Sequence, residues 1–269
     1  MEVLSQLLPD MRTPFRLRSL EVFNWGPFSG MHVAEFDVGG TAIIGMTGSG
    51  KTTLVDAFVT LLTESPKYNL ASTGGHESDR SLMSYVRGVI GAASASGDGA
   101  NVSRKSATTT GLCATYSDGH QIVRCTGLLW VEGVSTAYAD LRRAWIFSRD
   151  PAAGLEQWLS IHHEGGLRSL KHQVRDNELI QVYDSANGGK RAYLARIRAF
   201  FEVGENAFDL LNRAAGLKQL NSIDELFREY VLDDRSAFGR AVEVADDFNT
   251  LTDIHNELVL ARNQQASLF

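Results

Sequence analysis

Gly45-Met-Thr-Gly-Ser-Gly-Lys-Thr52 decides how this chain is read. It fills every fixed position of the pattern Gly-x-x-x-x-Gly-Lys-[Ser/Thr]. The spacing has a physical purpose. Gly48 and Gly50 let the backbone curl, so that successive N–H groups point inward at phosphate oxygens. A helix opening just afterwards adds the partial positive charge of its N-terminus at the same spot. Lys51 can reach the β- and γ-phosphates, and the Thr52 hydroxyl can take one position on Mg²⁺. The Thr53 hydroxyl is placed for the α-phosphate. Gly45, Gly48, Ser49, Gly50, Lys51, Thr52 and Thr53 are therefore the expected nucleotide grip, with ATP and Mg²⁺ as the expected cofactors.

The surroundings agree with a phosphate loop rather than an inert glycine turn. Thr41–Gly45 is a compact apolar run, of the kind found in a strand buried on both faces. After the loop, Leu54, Val55, Phe58, Val59, Leu61 and Leu62 fall at helical spacing across Thr52–Thr63. Before it, Phe15–Asn24 alternates with an imperfect period of two, Trp25-Gly-Pro-Phe28 reads as a turn, and Met31–Phe36 as a second strand. Asp37–Gly40 is a second turn.

Composition narrows the class. At 43% hydrophobic and 22% charged residues over 269 positions, a sizeable core is expected. The formal charge of −6 gives no global basic field, so any nucleic-acid contact must come from a local patch. The 2 cysteines, Cys113 and Cys125, suit a reduced cytoplasmic protein and offer no zinc-type pair. Met1–Asp10 lacks the basic start and long apolar run of a signal peptide. No apolar run approaches the roughly 18 residues that would span a bilayer.

Further along, Ser81–Val89 reads as a helix and Gly91–Lys105 as a surface insertion rich in Ala, Ser and Gly. Ala107–Tyr116 and Gln121–Val131 flank Asp118-Gly119, a strong hairpin signal, and Ala139–Phe147 can add a third antiparallel strand. Leu155–His163, Gly166–Asp176 and Glu178–Tyr183 are short elements of open type. Lys190–Phe201, Asn206–Ala215 and Ser222–Leu232 read as helices, the last with Ser222 and Glu225 in a capping-box arrangement. From Ser236 onward, Ala241, Val244, Phe248, Leu251, His255 and Leu258 alternate in steps of three and four, a heptad seam. The seam predicts a coiled coil that continues past Phe269.

Two parts of a complete ATPase do not appear in the sequence. A Walker B strand ends in Asp-Glu. The nearest run, Gly127–Glu132, lacks the Asp, which makes Glu132 a poor catalytic candidate. A Ser-Gly-Gly signature is also missing. Ser72-Thr-Gly-Gly75 and Ala186-Asn-Gly-Gly189 read as plain turns. This chain by itself is expected to bind nucleotide weakly and to hydrolyse it poorly or not at all.

Several segments together resemble bacterial SMC-like condensin ATPases of the MukB/MksB/JetC group, which includes the motor subunits of Wadjet plasmid defence. They are Phe15-Arg-Leu-x-x-Leu-Glu-Val-Phe-Asn-Trp-Gly-x-Phe28, the phosphate loop, Leu54-Val-Asp-Ala57, Tyr68-Asn-Leu-Ala71 and Arg80-Ser-Leu-x-x-Tyr-Val-Arg-Gly88. The likeness resumes at Phe208–Asn212, Lys218-Gln-Leu-Asn221 and Phe227-Arg-Glu-Tyr230. The resemblance implies the N-terminal half of an ATPase head, residues 15–235, followed by the start of a coiled-coil arm, residues 236–269. The C-terminal half of the same head would bring Walker B and the signature. It further implies a second head in a homodimer, kleisin and kite-type subunits, double-stranded DNA as partner, and a nucleoid-associated, cytoplasmic setting without membrane. The implied work is ATP-driven DNA loop extrusion or translocation, in plasmid defence or chromosome organisation. Gln219 resembles the Q-loop glutamine that would join Mg²⁺ and the attacking water. Asn24 and Trp25 would flank the nucleotide, with packing an equal alternative for Trp25. Arg80 could match an arginine that contacts phosphate or DNA, although a solvated surface arginine is the commoner case.

The expected fold is α/β: a mixed sheet around the phosphate-loop helix, an antiparallel β subdomain near 107–147, a helical subdomain near 190–235, then the neck. Basic clusters at Arg12/Arg16/Arg18, Arg142/Arg143, Arg168/Lys171/Arg175 and Lys190/Arg191/Arg196/Arg198 are candidate DNA contacts, though each alone is more often a solvated face. Two other readings remain open at this stage. One is an SMC-related repair ATPase of the RecF or RecN kind, with a short arm. The other is a nucleotide-switched scaffold without useful turnover.

Overall fold

A computed structural model describes residues 13–68, 81–90, 101–204 and 206–216, together with Phe248 and Thr252. The chain divides into two compact units, Met1–Lys218 and Gln219–Phe269. In the second unit, the Thr252 hydroxyl donates to the Phe248 carbonyl one helical turn earlier. Gln219, Arg80, the Ser222–Leu232 helix and most of the heptad seam lie outside the described residues.

The first unit is built on one six-stranded sheet. Its strands are β1 (Arg16–Phe23), β2 (Met31–Glu35), β5 (Thr108–Ser117), β6 (Ile122–Val131), β7 (Arg142–Ser148) and β8 (Ile180–Tyr183), in the order β2-β1-β5-β6-β7-β8. A short pair, β3 (Val89–Ile90) and β4 (Asn101–Val102), stands apart. Every described pairing is antiparallel. This corrects two expectations. The sheet is not mixed, and residues 107–147 do not form a separate β subdomain. β5 lies directly on β1, so the first hairpin and the later strands share one sheet.

The imperfect alternation of β1 has a local cause. The β1–β5 register shifts between Leu17 and Ser19, which fits a bulge at Arg18. The extra residue lets Leu17 and Leu20 serve the same cluster despite their odd spacing. Asp118 fixes the β5–β6 turn, accepting from the amides of His120 (2.8 Å) and Gln121 (2.7 Å). Gly119 there takes a φ of 98°.

Helices cover both faces of the sheet. On one face, α1 (Lys51–Leu62), α2 (Leu82–Arg87) and α4 (Gly189–Phe201) meet Leu20, Val22, Leu112, Ala114, Leu129, Trp145 and Phe147. On the other, α3 (Leu155–Gln173) places Leu155, Trp158 and Leu170 against Cys113, Leu128 and Ile146. Burial on both sides explains why β5 to β7 read as nearly continuous apolar runs. α3 breaks at Gly165 and Gly166, the latter at φ 64°, which is why its two halves looked like separate elements. α5 (Ala207–Gly216) closes the described part of the unit. Asn212 on α5 accepts from the Lys67 amide (2.7 Å) and donates to the Ser65 carbonyl (2.9 Å), tying it to the chain that leaves α1.

One expected element does not form. Thr41–Gly45 is not a buried strand: residues 41–46 run as irregular chain and are exposed. Ile44 is 89% and Met46 84% exposed. A strand needs ladder partners on its flanks, and no described strand lies beside this segment.

Candidate nucleotide-binding site

The phosphate loop leaves residue 46 in a turn and enters α1 at Lys51. Gly48 (φ 84°) and Gly50 (φ 92°) both take the left-handed conformation for which glycine is suited. Gly50 is the N-cap of α1. No side chain caps that helix, and its first turn carries no acidic residue. Its first ladder bond runs from the Leu54 amide to the Gly50 carbonyl (3.1 Å). The amides ahead of Leu54 therefore stand outside the helical ladder, as anion binding requires. Lys51 folds back over the loop. Its ammonium donates to the carbonyls of Gly45 (2.8 Å) and Met46 (2.9 Å). Open amides, left-handed glycines and an ammonium held at the loop mouth fit a triphosphate tail. Thr52 is half-buried one residue into the helix, next to this cradle, where its hydroxyl can serve a magnesium ion.

The floor beneath the loop comes from the turn after β1. Trp25 is fully buried and stacks on Tyr85 of α2 at 4.3 Å and 12°. Its indole N–H donates to the Thr53 carbonyl at 2.8 Å. Thr53 itself is buried, with its methyl facing Gly26. The Tyr85 hydroxyl donates in turn to the Asp56 carboxylate on α1. Trp25 therefore has a packing role: the side chain pins α1 to α2 and leaves no exposed surface. Asn24 is spent in the same turn. It adopts φ 51°, accepts from the Gly30 amide (3.0 Å) and donates to the Thr109 carbonyl (3.3 Å).

Phe28 and Arg104 matter here, and sequence reasoning passed over both. The Phe28 ring lies so close to Gly50 that a Cβ there would sit 2.7 Å from its tip. Arg104 belongs to a stretch read as surface insertion, yet its guanidinium donates inward. It reaches the carbonyls of Gly26 (2.7 Å), Val86 (2.8 Å), Tyr85 (2.9 Å) and Phe28 (3.4 Å). Arg87 beside it is 1% exposed and donates to the carbonyls of Gly133 (2.8 Å), Arg104 (3.1 Å), Ser106 and Ser135. Burial pulls both guanidinium pKa values below their usual range. Buried Arg87 and half-buried Arg104 thus lace the Trp25–Phe28 turn, α2 and the segment after β6 together by carbonyl contacts. Only the Phe28 contact had a sequence signal, its place in a Trp-Gly-x-Phe turn four residues after a strand. Glu132, the weak Walker B candidate, is an exposed residue 3.6 Å from Arg142.

Comparison with known proteins agrees with the loop. Residues 17–75 match a family described as the P-loop containing region of an AAA domain. The chain carries a P-loop, ATPase-like region. The matched span covers β1, β2, the phosphate loop and α1, while α2 and Arg104, which complete the floor, lie beyond it. No curated protein matches the chain. Among the described residues, no helix is long and apolar enough to cross a membrane.

Proposed function

We propose that this chain is the ATP-binding half of an SMC-like head, completed by a C-terminal half that supplies Walker B and the signature. The observation that carries the reading is the exposed segment leading into the phosphate loop. Ile43 and Ile44 are 41% and 89% exposed, at a place where a phosphate-loop fold needs a strand paired on both sides. Covering Ile44 would gain about 1.5–3 kcal/mol and completing the cover of Ile43 about 1 kcal/mol, a drive to acquire partner strands.

In the completed head, the amides of the loop and the start of α1 hold the phosphates. Lys51 gives up its two loop carbonyls for the β- and γ-oxygens. Thr52 offers its hydroxyl to magnesium, which neutralises charge on the phosphates when bound. Gln219, by its resemblance to a Q-loop glutamine, is the candidate to serve the magnesium. Two such heads clamp two ATP molecules, and the cycle of engagement and hydrolysis moves double-stranded DNA. Kleisin and kite-type subunits, a coiled-coil arm from residue 236 and a role in plasmid defence or chromosome organisation belong to the same proposal, supported by the sequence resemblance.

The test joins calorimetry with turnover. Mg-ATP should bind the chain, and Lys51→Ala should abolish that binding. ATPase activity should appear only when the chain is combined with its C-terminal half, and Ile44→Asp should prevent the combination from forming. Equal turnover by the chain alone, or undisturbed assembly of the Ile44→Asp variant, would refute the proposal. Binding and assembly without turnover would favour a nucleotide-switched scaffold.

A further inference from the structure

A strand, a glycine turn and a helix follow one another at the β8 edge of the sheet. β8 ends at Tyr183 and the chain turns through Asp184–Gly188 into α4. Gly188 (φ 86°) and Gly189 (φ 55°) take the left-handed conformation. The turn is well tied. The Asp184 carbonyl accepts from the amides of Gly189 (2.8 Å) and Asn187 (3.1 Å), and Asn187 Oδ1 accepts from the Asp184 amide (2.6 Å). No side chain caps α4, and no acidic residue occupies its first turn. A cleft of about 410 Å³ opens at this point, lined by Arg142, Arg143, Gly189 and Lys190 over Trp130 and Trp145.

The charges around this cleft do not balance. The Lys190 ammonium sits 4.5 Å over the Trp145 ring and has no hydrogen bond or ion pair with any described residue. Arg143 donates to the Tyr138 hydroxyl (2.7 Å), a neutral partner. Arg142 pairs loosely with exposed Glu132 at 3.6 Å. One carboxylate lines the cleft, that of Asp184, and Lys171 of α3 already holds it at 2.8 Å. Arg191 turns to Glu64 at 3.7 Å. Burial, then Arg143, push the Lys190 ammonium down to about 7 against the weaker pull of Glu64. A desolvated lysine beside two arginines, with no free anion facing it, is costly unless a ligand neutralises it.

We propose that this cleft is a second anion site, separate from the Gly45–Thr52 loop, in which Lys190, Arg142, Arg143 and the open start of α4 bind a phosphate group. A phosphate group is much smaller than the cleft, which leaves room for whatever bears it. The site joins two basic clusters, one on β7 and one on α4, that lie far apart in the sequence. A phosphorylated small molecule and a phosphodiester offer the same recognisable chemistry.

Inorganic phosphate is the first probe, added to the full chain carrying Lys51→Ala so that the phosphate loop is silenced. Saturable shifts are expected in the NMR signals of the Lys190 side chain and of the Lys190 and Arg191 amides. The Lys190 titration should move upward on binding, because an anion favours the charged form. Lys190→Gln should abolish the effect. Arg142→Gln, at an exposed position, should weaken it about tenfold, as loss of one charge-assisted contact predicts. A short DNA duplex that displaces the phosphate assigns the site to a phosphodiester. Displacement by a sugar phosphate but not by the duplex assigns it to a small ligand. The absence of saturable shifts at tens of millimolar phosphate would overturn the proposal. So would shifts that persist in both variants.

Discussion

Replacing Trp25 with Phe separates a structural tryptophan from a ligand-binding one. The change removes the indole N–H that donates to the Thr53 carbonyl at 2.8 Å in the buried core. That carbonyl keeps a second lone pair for the α1 ladder, so the lost bond costs about 1 kcal/mol, the low end for a buried group. The smaller ring also leaves a void beside Tyr85. This is a fraction of the cost of truncation to Ala and adds about 1–2 kcal/mol. The total of about 2–3 kcal/mol lowers the folding equilibrium by a factor of roughly 30–150. Urea unfolding followed by far-UV circular dichroism measures it, with the slope of the transition expected to stay constant. Nucleotide titration of the still-folded variant supplies the second readout, and affinity should change by less than about threefold, since the ring is fully buried. A stability loss below about 0.5 kcal/mol would refute the packing argument. A loss of affinity beyond about tenfold in a folded variant would restore Trp25 to the nucleotide site.

Gly50→Ala and Gly48→Ala make a matched pair. Both positions are left-handed, which costs a non-glycine residue roughly 1–2 kcal/mol, but only at Gly50 would the new Cβ meet a ring, 2.7 Å from Phe28. Gly50→Ala should therefore lose more nucleotide affinity than Gly48→Ala, and adding Phe28→Leu should recover part of the difference; equal losses would show that Phe28 does not shape the loop. The buried thiols give a pH prediction. Burial pushes Cys113 up to about 12 and Cys125 up as well, so both stay protonated in the fold while an unfolded chain ionises from about 8.5. Their share of the stability is then lost as pH rises through that range, whereas Lys190, depressed to about 7, acts in the opposite sense. Against Cys113→Ala/Cys125→Ala, which removes the thiol share alone, the parent chain should lose stability between about pH 8 and about pH 10; parallel pH profiles would contradict the burial argument.

The local elements were legible where one physical rule governed them. The phosphate loop, the α1 periodicity, the Asp118-Gly119 hairpin and the α4 helix each follow from a handful of adjacent residues. The Thr41–Gly45 strand did not follow. Its apolar run obeys a propensity rule, but a strand exists only when another strand accepts its hydrogen bonds, and no described segment does so. Trp25 illustrates the same limit on a side chain. Its place in a turn before the loop suggested a ligand contact, and only the packing of α2 revealed that Tyr85 and Thr53 occupy both its face and its N–H.

The amino-acid sequence alone determined that this chain has a loop of left-handed glycines, a lysine and a helix start able to hold a phosphate, because those properties depend on residues within a single turn of one another. The tertiary structure decided that residues 107–147 extend the first hairpin's sheet, that Arg87 and Arg104 stitch the floor of the site, and that Arg142, Arg143 and Lys190 share one cleft. Those facts depend on which distant segments meet when the apolar faces of the sheet are covered. That choice is made by packing across the whole unit, and no short window of sequence contains it.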